Sequence, residues 1–146
     1  MLDLFYQEDE ELLSESQKMW LTRVNTVIDQ NDDVKQMAKD LDKITELVLK
    51  EGNDADQYIT IIAIEVTKET MDYWYNNYSE WERLLTGNNS KAWSWKEFGK
   101  EDAKGAIAGG IGGAISGGLA GAGLGALGGA LGGSAANAVG QLTGWW

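Results

Sequence analysis

The feature that most limits what this chain can fold into is its final 42 residues, Gly105 to Trp146, which carry no charged side chain. Written in fours from Gly105, they read GAIA, GGIG, GAIS, GGLA, GAGL, GALG, GALG, GSAA and NAVG. Glycine opens eight successive tetrads, at Gly105, Gly109, Gly113, Gly117, Gly121, Gly125, Gly129 and Gly133. The third position is mostly Ile or Leu: Ile107, Ile111, Ile115, Leu119, Leu127 and Leu131. Glycine costs a helix in water about 1 kcal/mol per residue relative to alanine. A helix so rich in glycine therefore needs a setting in which unpaired backbone groups are expensive, and a bilayer is one. In lipid, rows of small residues let helix backbones approach closely and so supply the packing. A flexible linker would be richer in serine and would not hold Ile or Leu in register.

The repeat also limits geometry. An α-helix turns about 100° per residue, so a four-residue row drifts by about 40° per step. Either a partner helix crosses at an angle, or the segment folds back on itself. About 20 residues span a bilayer core, so 42 allow two passes. The stretch Gly121-Ala122-Gly123 is the weakest in aliphatics near the middle and is the expected bend. Trp93 and Trp95 precede the segment, and Trp145 and Trp146 end it. A hairpin brings both pairs to one interface, where indole rings prefer to sit. Lys96, Lys100 and Lys104 fall on one helical face beside them, suited to lipid phosphates. The eight glycines are the expected helix-packing positions, and these tryptophans and lysines the expected interface anchors. The same apolar hairpin docked on a soluble domain is the competing arrangement.

Every charged residue lies between Asp3 and Lys104, with 12 Lys+Arg against 23 Asp+Glu and a formal net charge of −11. The sequence thus divides into an acidic soluble helical domain, 1–104, and a glycine-zipper apolar segment, 105–146. So acidic a chain is not built to neutralise nucleic-acid phosphates. Cysteine, histidine and proline are all absent. That removes thiolate chemistry, the commonest general base and the commonest transition-metal ligand. Met1–Leu13 is acidic and lacks the basic and apolar regions of a secretory signal. The expectation is secretion by a route that does not read such a signal, association with a membrane, or both.

The acidic part reads as helices. Leu12, Leu13, Met19, Trp20, Val24, Val27 and Ile28 recur at helical spacing across Glu8–Asp29. Gln30-Asn31-Asp32-Asp33 reads as a stop followed by an N-cap. Val34, Met37, Leu41, Ile44 and Val48 form a 3-4-3-4 seam. Gly52-Asn53 ends that helix, and Asn53 or Asp54 caps the next. Met71, Trp74, Tyr78, Trp81 and Leu85 continue the pattern. Tyr58–Val66 is rich in isoleucine, as a strand would be. It has neither polar alternation nor a turn signal, so helix is the better reading. Gly87-Asn88-Asn89-Ser90 is the next punctuation. The predicted fold class is all-α: a small antiparallel bundle, followed by a glycine-zipper helical hairpin or transmembrane segment.

Carboxylates are the only candidates for catalysis. Asp40/Asp42 and Asp54/Asp56 lack the glycine and distant glutamate of a calcium loop. A short bundle offers no cleft for paired acids. A solvated acidic face is the expected role, with no enzyme activity, no cofactor and no metal.

The run GAIAGGIGGAISGGLAGAGLGALGGALGG resembles the glycine-zipper segments of small bacterial bacteriocins, the two-peptide and microcin V-like groups among them. It is also similar to the membrane-active ends of some secreted bacterial toxins. The resemblance covers residues 105–146 only. It implies self-association in a target membrane, permeabilisation, and a cognate immunity or chaperone protein. Two departures stand out: no short leader ending in a double glycine, and about 100 acidic helical residues before the zipper. The function expected is therefore that of a bacteriocin-like or toxin-like pore-forming protein acting on a lipid membrane. The alternative is a non-toxic structural or interaction protein. Its bundle would bind a partner, and its tail would anchor or oligomerise it.

Overall fold

The computed structural model describes residues 12–86, 96, 97, 99–115 and 121. All regular structure among them is helical. Helix α1 spans Glu15–Gln30, α2 Val34–Glu51 and α3 Asp54–Thr86. A further helix, α4, covers 99–115.

Local chemistry sets the boundaries. Ser14 opens α1 with a capping box: its hydroxyl accepts from the Gln17 amide, and the Gln17 side chain accepts from the Ser14 amide. That pair satisfies two backbone donors a helix start otherwise leaves open. Asp33 caps α2 by accepting from the Gln36 amide at 2.8 Å. Asn53 caps α3 by accepting from the amides of Ala55 and Asp56, both at 3.0 Å. The two connections are only three and two residues long, so α1, α2 and α3 run alternately up and down. Tyr58–Val66 lies wholly inside α3, as the missing polar alternation indicated.

The core follows the apolar stripes. Trp20, Leu21, Val24 and Ile28 of α1 are buried, as are Met37, Leu41, Ile44 and Val48 of α2. They share one cluster with Ile59, Ala63, Ile64 and Met71 of α3. Met19 is exposed and falls off the stripe, while Val27 and Val34 pack at its edge. Polar ties fix the register. The Ser16 hydroxyl donates to buried Asp56 at 2.6 Å, which sets the start of α1 beside the start of α3. Lys68 of α3 bridges to Asp42 of α2 at 2.7 Å. Arg23 lies 4.5 Å over the Trp20 ring, a cation–π contact that covers the edge of the core.

Helix α4 completes the bundle. Its Ala103, Ile107 and Ile111 belong to the same core cluster. The helix runs unbroken through Lys104, where the charge of the chain ends. The change in composition at that position is therefore not a change in backbone structure.

Candidate functional site

The region of interest is α4, because it carries the last three charges that meet other helices and the first three glycines of the repeat. Its two faces are used differently. Gly99, Asp102, Ala103, Ala106, Ile107, Gly110, Ile111 and Ala114 are buried, an i, i+3, i+4 stripe turned to the bundle. Gly105, Gly109 and Gly113 are half-buried. At about 100° per residue, the glycine row lies roughly 160° around the axis from Ile107 and Ile111. The isoleucine face thus enters the core and the glycine row points away from it.

Gly99 sits where α4 comes close to α3. A methyl group there would stand 3.0 Å from Met71 Sδ and 3.5 Å from Trp74 Cβ, so it would fit only if the Met71 side chain gave way slightly. Three residues on, the Trp74 indole N–H donates to the carboxylate of Asp102 at 2.5 Å. Trp74 and Asp102 are both buried. A buried indole requires an acceptor, and Asp102 supplies it from the facing helix.

On the outer side Gly121 lies against Gly113. A Cβ on Gly121 would collide with the Gly113 carbonyl oxygen and sit 3.0 Å from its carbon. In one straight helix, residues eight apart are about 12 Å apart, so Gly121 cannot be a continuation of α4. Two glycines of the predicted row meet backbone to backbone. By contrast, a Cβ on Gly112 would meet nothing within 4 Å, and Ile115 is exposed.

The three lysines gather at the end of α1. Lys104 Nζ is 2.8 Å from Asp29, Lys100 Nζ 3.1 Å from Asp32, and Lys96 Nζ 3.7 Å from Asp32. Lys100 also donates to the Asp29 carbonyl at 3.1 Å. The contacts of Lys96 and Lys100 lie at and beyond the end of α1, and that of Lys104 lies within its last turn. α4 therefore runs back along α1, antiparallel to it. Hydrogen bonding and charge from Lys100, then the charge of Lys96, hold the Asp32 carboxyl below the usual carboxylate range.

Of the residues singled out in the sequence, Gly105, Gly109, Gly113, Gly121, Lys96, Lys100 and Lys104 are therefore placed. Of the bend expected at 121–123, Gly121 is helical and lies against Gly113, and Ala122 and Gly123 lie outside the described residues. Trp93, Trp95, Gly117, Gly125, Gly129, Gly133, Trp145 and Trp146 lie outside the described residues, as does the punctuation at 87–90. Asp102, Ile107 and Ile111 were not foreseen as bundle contacts. The one sequence signal for the Asp102–Trp74 pair is an acid lying four residues before Ala106 on the small, apolar face of α4, and it does not identify the partner.

Three of the four acids considered for catalysis are engaged elsewhere, Asp56 with Ser16. Asp40 bonds Lys43 and Gln36, with Lys43 lowering its pKa most. Asp42 bonds Lys68, and that bond is the main reason the Lys68 pKa is raised. Among the described residues, no group of three or more acidic side chains is placed to hold a metal ion. Among them, too, no helix is long and apolar enough to cross a membrane. A cavity of about 250 Å³ opens between α2 and α3 beside Met37, Leu41 and Met71. No family model matches the chain, and neither does any curated protein or solved structure.

Proposed function

We propose that this is a toxin-like, bacteriocin-like membrane protein whose acidic bundle stores the start of a glycine zipper in a water-compatible form. The observation that carries the reading is the division of α4 into two faces. Ile107 and Ile111 are fully buried in the bundle, so two of the segment's larger aliphatics are removed from water. The glycine row faces outward, where Gly121 meets Gly113. A row of small residues accepts another helix by close backbone approach, and that packing retains its value in lipid.

Energetics favour conditional insertion. The charge-free segment has nine large aliphatics, each contributing roughly −0.3 to −0.6 kcal/mol to insertion. Burying two isoleucines in the bundle stabilises the docked state by about 1.5–3 kcal/mol each. The two totals are comparable, so self-association along the glycine row decides between docked and inserted states. Immunity or chaperone partners would act on the same equilibrium.

Burial of Ile107 and Ile111 also favours a second reading. In it the tail is a permanent part of a soluble interaction protein, and the glycine row seats a partner helix or a second copy. One experiment separates the two. Dye-loaded vesicles are exposed to the full chain and to a chain ending at Ser116, which keeps α4. The membrane reading expects leakage from the first and none from the second. Intact vesicles with both proteins would reject it in favour of the interaction protein.

A further inference from the structure

The end of α1 carries an unusual concentration of negative charge. A helix C-terminus behaves as about half a negative charge, and α1 has no basic residue in its last turn. Asp29 lies in that turn and Asp32 just beyond it. The compensating charge comes from residues 68 and 71 positions away in sequence, where Lys100 meets Asp32 and the Asp29 carbonyl. The Lys100 and Lys104 side chains are only 16% and 18% exposed, while their partners Asp32 and Asp29 are 69% and 47% exposed. Two largely buried lysine side chains thus meet more exposed carboxylates, while Lys96, paired with the same Asp32, is 41% exposed. Asp29, Asp32 and a carbonyl oxygen of α1, with Glu101 of α4 itself 3.8 Å from Lys104, present to three ammonium groups the same oxygen chemistry as a cluster of phosphodiesters.

We propose that Asp29, Asp32 and the carbonyl end of α1 act as an internal anion occupying the Lys96–Lys100–Lys104 stripe. An anionic lipid surface competes for that stripe and so releases α4. This rests on the membrane reading above and adds its trigger. The stripe immediately precedes Gly105 on the same helix, so lysines engaged by headgroups place the start of the glycine row at the interface.

Magnitudes make the exchange feasible. A solvent-facing ion pair changes an equilibrium by about 1.4- to 5-fold. A lysine at an anionic leaflet gains about fivefold. Three against three, the lipid matches or exceeds the internal anion, and insertion and self-association of the tail then have to offset the lost burial of Ile107 and Ile111. A zwitterionic membrane has phosphates but no net negative surface potential, so it competes far less with the internal anion.

The test uses the full chain and the double variant Asp29→Asn/Asp32→Asn, which keeps shape and removes charge. Without lipid, at low salt, amide hydrogen exchange across 103–114 should quicken by about three- to tenfold in the variant, and the difference should vanish in 1 M salt. With vesicles of one-third phosphatidylserine in phosphatidylcholine, the variant should bind at several-fold lower lipid than the parent. Pure phosphatidylcholine should not distinguish them. Lys96→Gln/Lys100→Gln/Lys104→Gln should lose the preference for anionic vesicles. Unchanged exchange, with anionic binding intact in both proteins, would overturn the internal anion and leave the membrane reading standing. Faster exchange, with neither protein binding vesicles, would overturn the lipid as competitor and the membrane reading with it.

Discussion

Replacing Ile107 by alanine tests whether the start of the glycine repeat is part of the bundle core. Ile107 is 0% exposed, whereas Ile115, two turns on, is 45% exposed and serves as the control. The substitution deletes three buried carbons, worth about 0.8 kcal/mol each, or about 2.4 kcal/mol of transfer free energy. A residual cavity adds to this, within the about 2–5 kcal/mol range for such changes. Neighbouring Ala103, Ala106 and Ala114 are too short to fill it. Alanine's better helix propensity returns only a few tenths of a kcal/mol. A loss of about 3 kcal/mol is expected, a large share of the about 5–15 kcal/mol that stabilises an ordinary domain. Urea unfolding followed by tryptophan fluorescence gives the value, with buried Trp20 and Trp74 as reporters. The midpoint should fall at constant slope. Ile115→Ala should stay within about 0.5 kcal/mol of the parent. A loss below about 1 kcal/mol for Ile107→Ala, or equal losses at both sites, would refute the docked placement of α4.

Other outcomes follow from the same contacts. Trp74→Phe removes the indole donor to Asp102 and should lower stability by about 1–3 kcal/mol in thermal unfolding; an unchanged melting temperature would contradict the pairing. Gly121→Ile places bulk on the Gly113 backbone and should suppress vesicle leakage while leaving urea stability of the bundle near parental, since Gly121 lies outside the core cluster; equal leakage would reduce the glycine to filler. The Asp32 pKa is depressed in the fold, so its contribution is present above its ordinary value of 3.8 and is lost as pH falls through the depressed one. Exchange in 99–115, corrected for intrinsic rates, should therefore rise below about pH 4, and Asp32→Asn should diminish that rise. For Lys68 the sign is opposite: its pKa is raised above 10.5, so its contribution is complete below that value and fades only as pH climbs past the raised one.

Three helices were legible because their determinants are local. Val34, Met37, Leu41, Ile44 and Val48 form a seam whatever they face, and Asn53 caps because its side chain reaches its own backbone. The fourth helix was visible as a helix, but its surroundings were not. An apolar face reading Ala103, Ile107, Ile111 suits lipid and a protein core equally well, since both reward removal from water. The spacing of Lys96, Lys100 and Lys104 marks a basic stripe. Whether carboxylates or phosphates meet it depends on Asp29 and Asp32, about 70 residues away, and no local pattern carries that information. The closeness of Gly113 and Gly121 follows from the repeat only once a direction of folding is known.

The central claim is that the zipper is stored on the bundle and must leave it to act. The chain contains no cysteine, so Asp29→Cys/Lys104→Cys introduces the only two thiols, at positions whose side-chain tips are 2.8 Å apart in the parent. A short reducible bis-maleimide across them ties α4 to α1. Leakage of dye from anionic vesicles is then measured before and after the linker is cleaved. The account predicts silence while the link is intact and, once it is cut, the leakage of the same double variant never linked. Equal leakage from the linked and never-linked variant would contradict it.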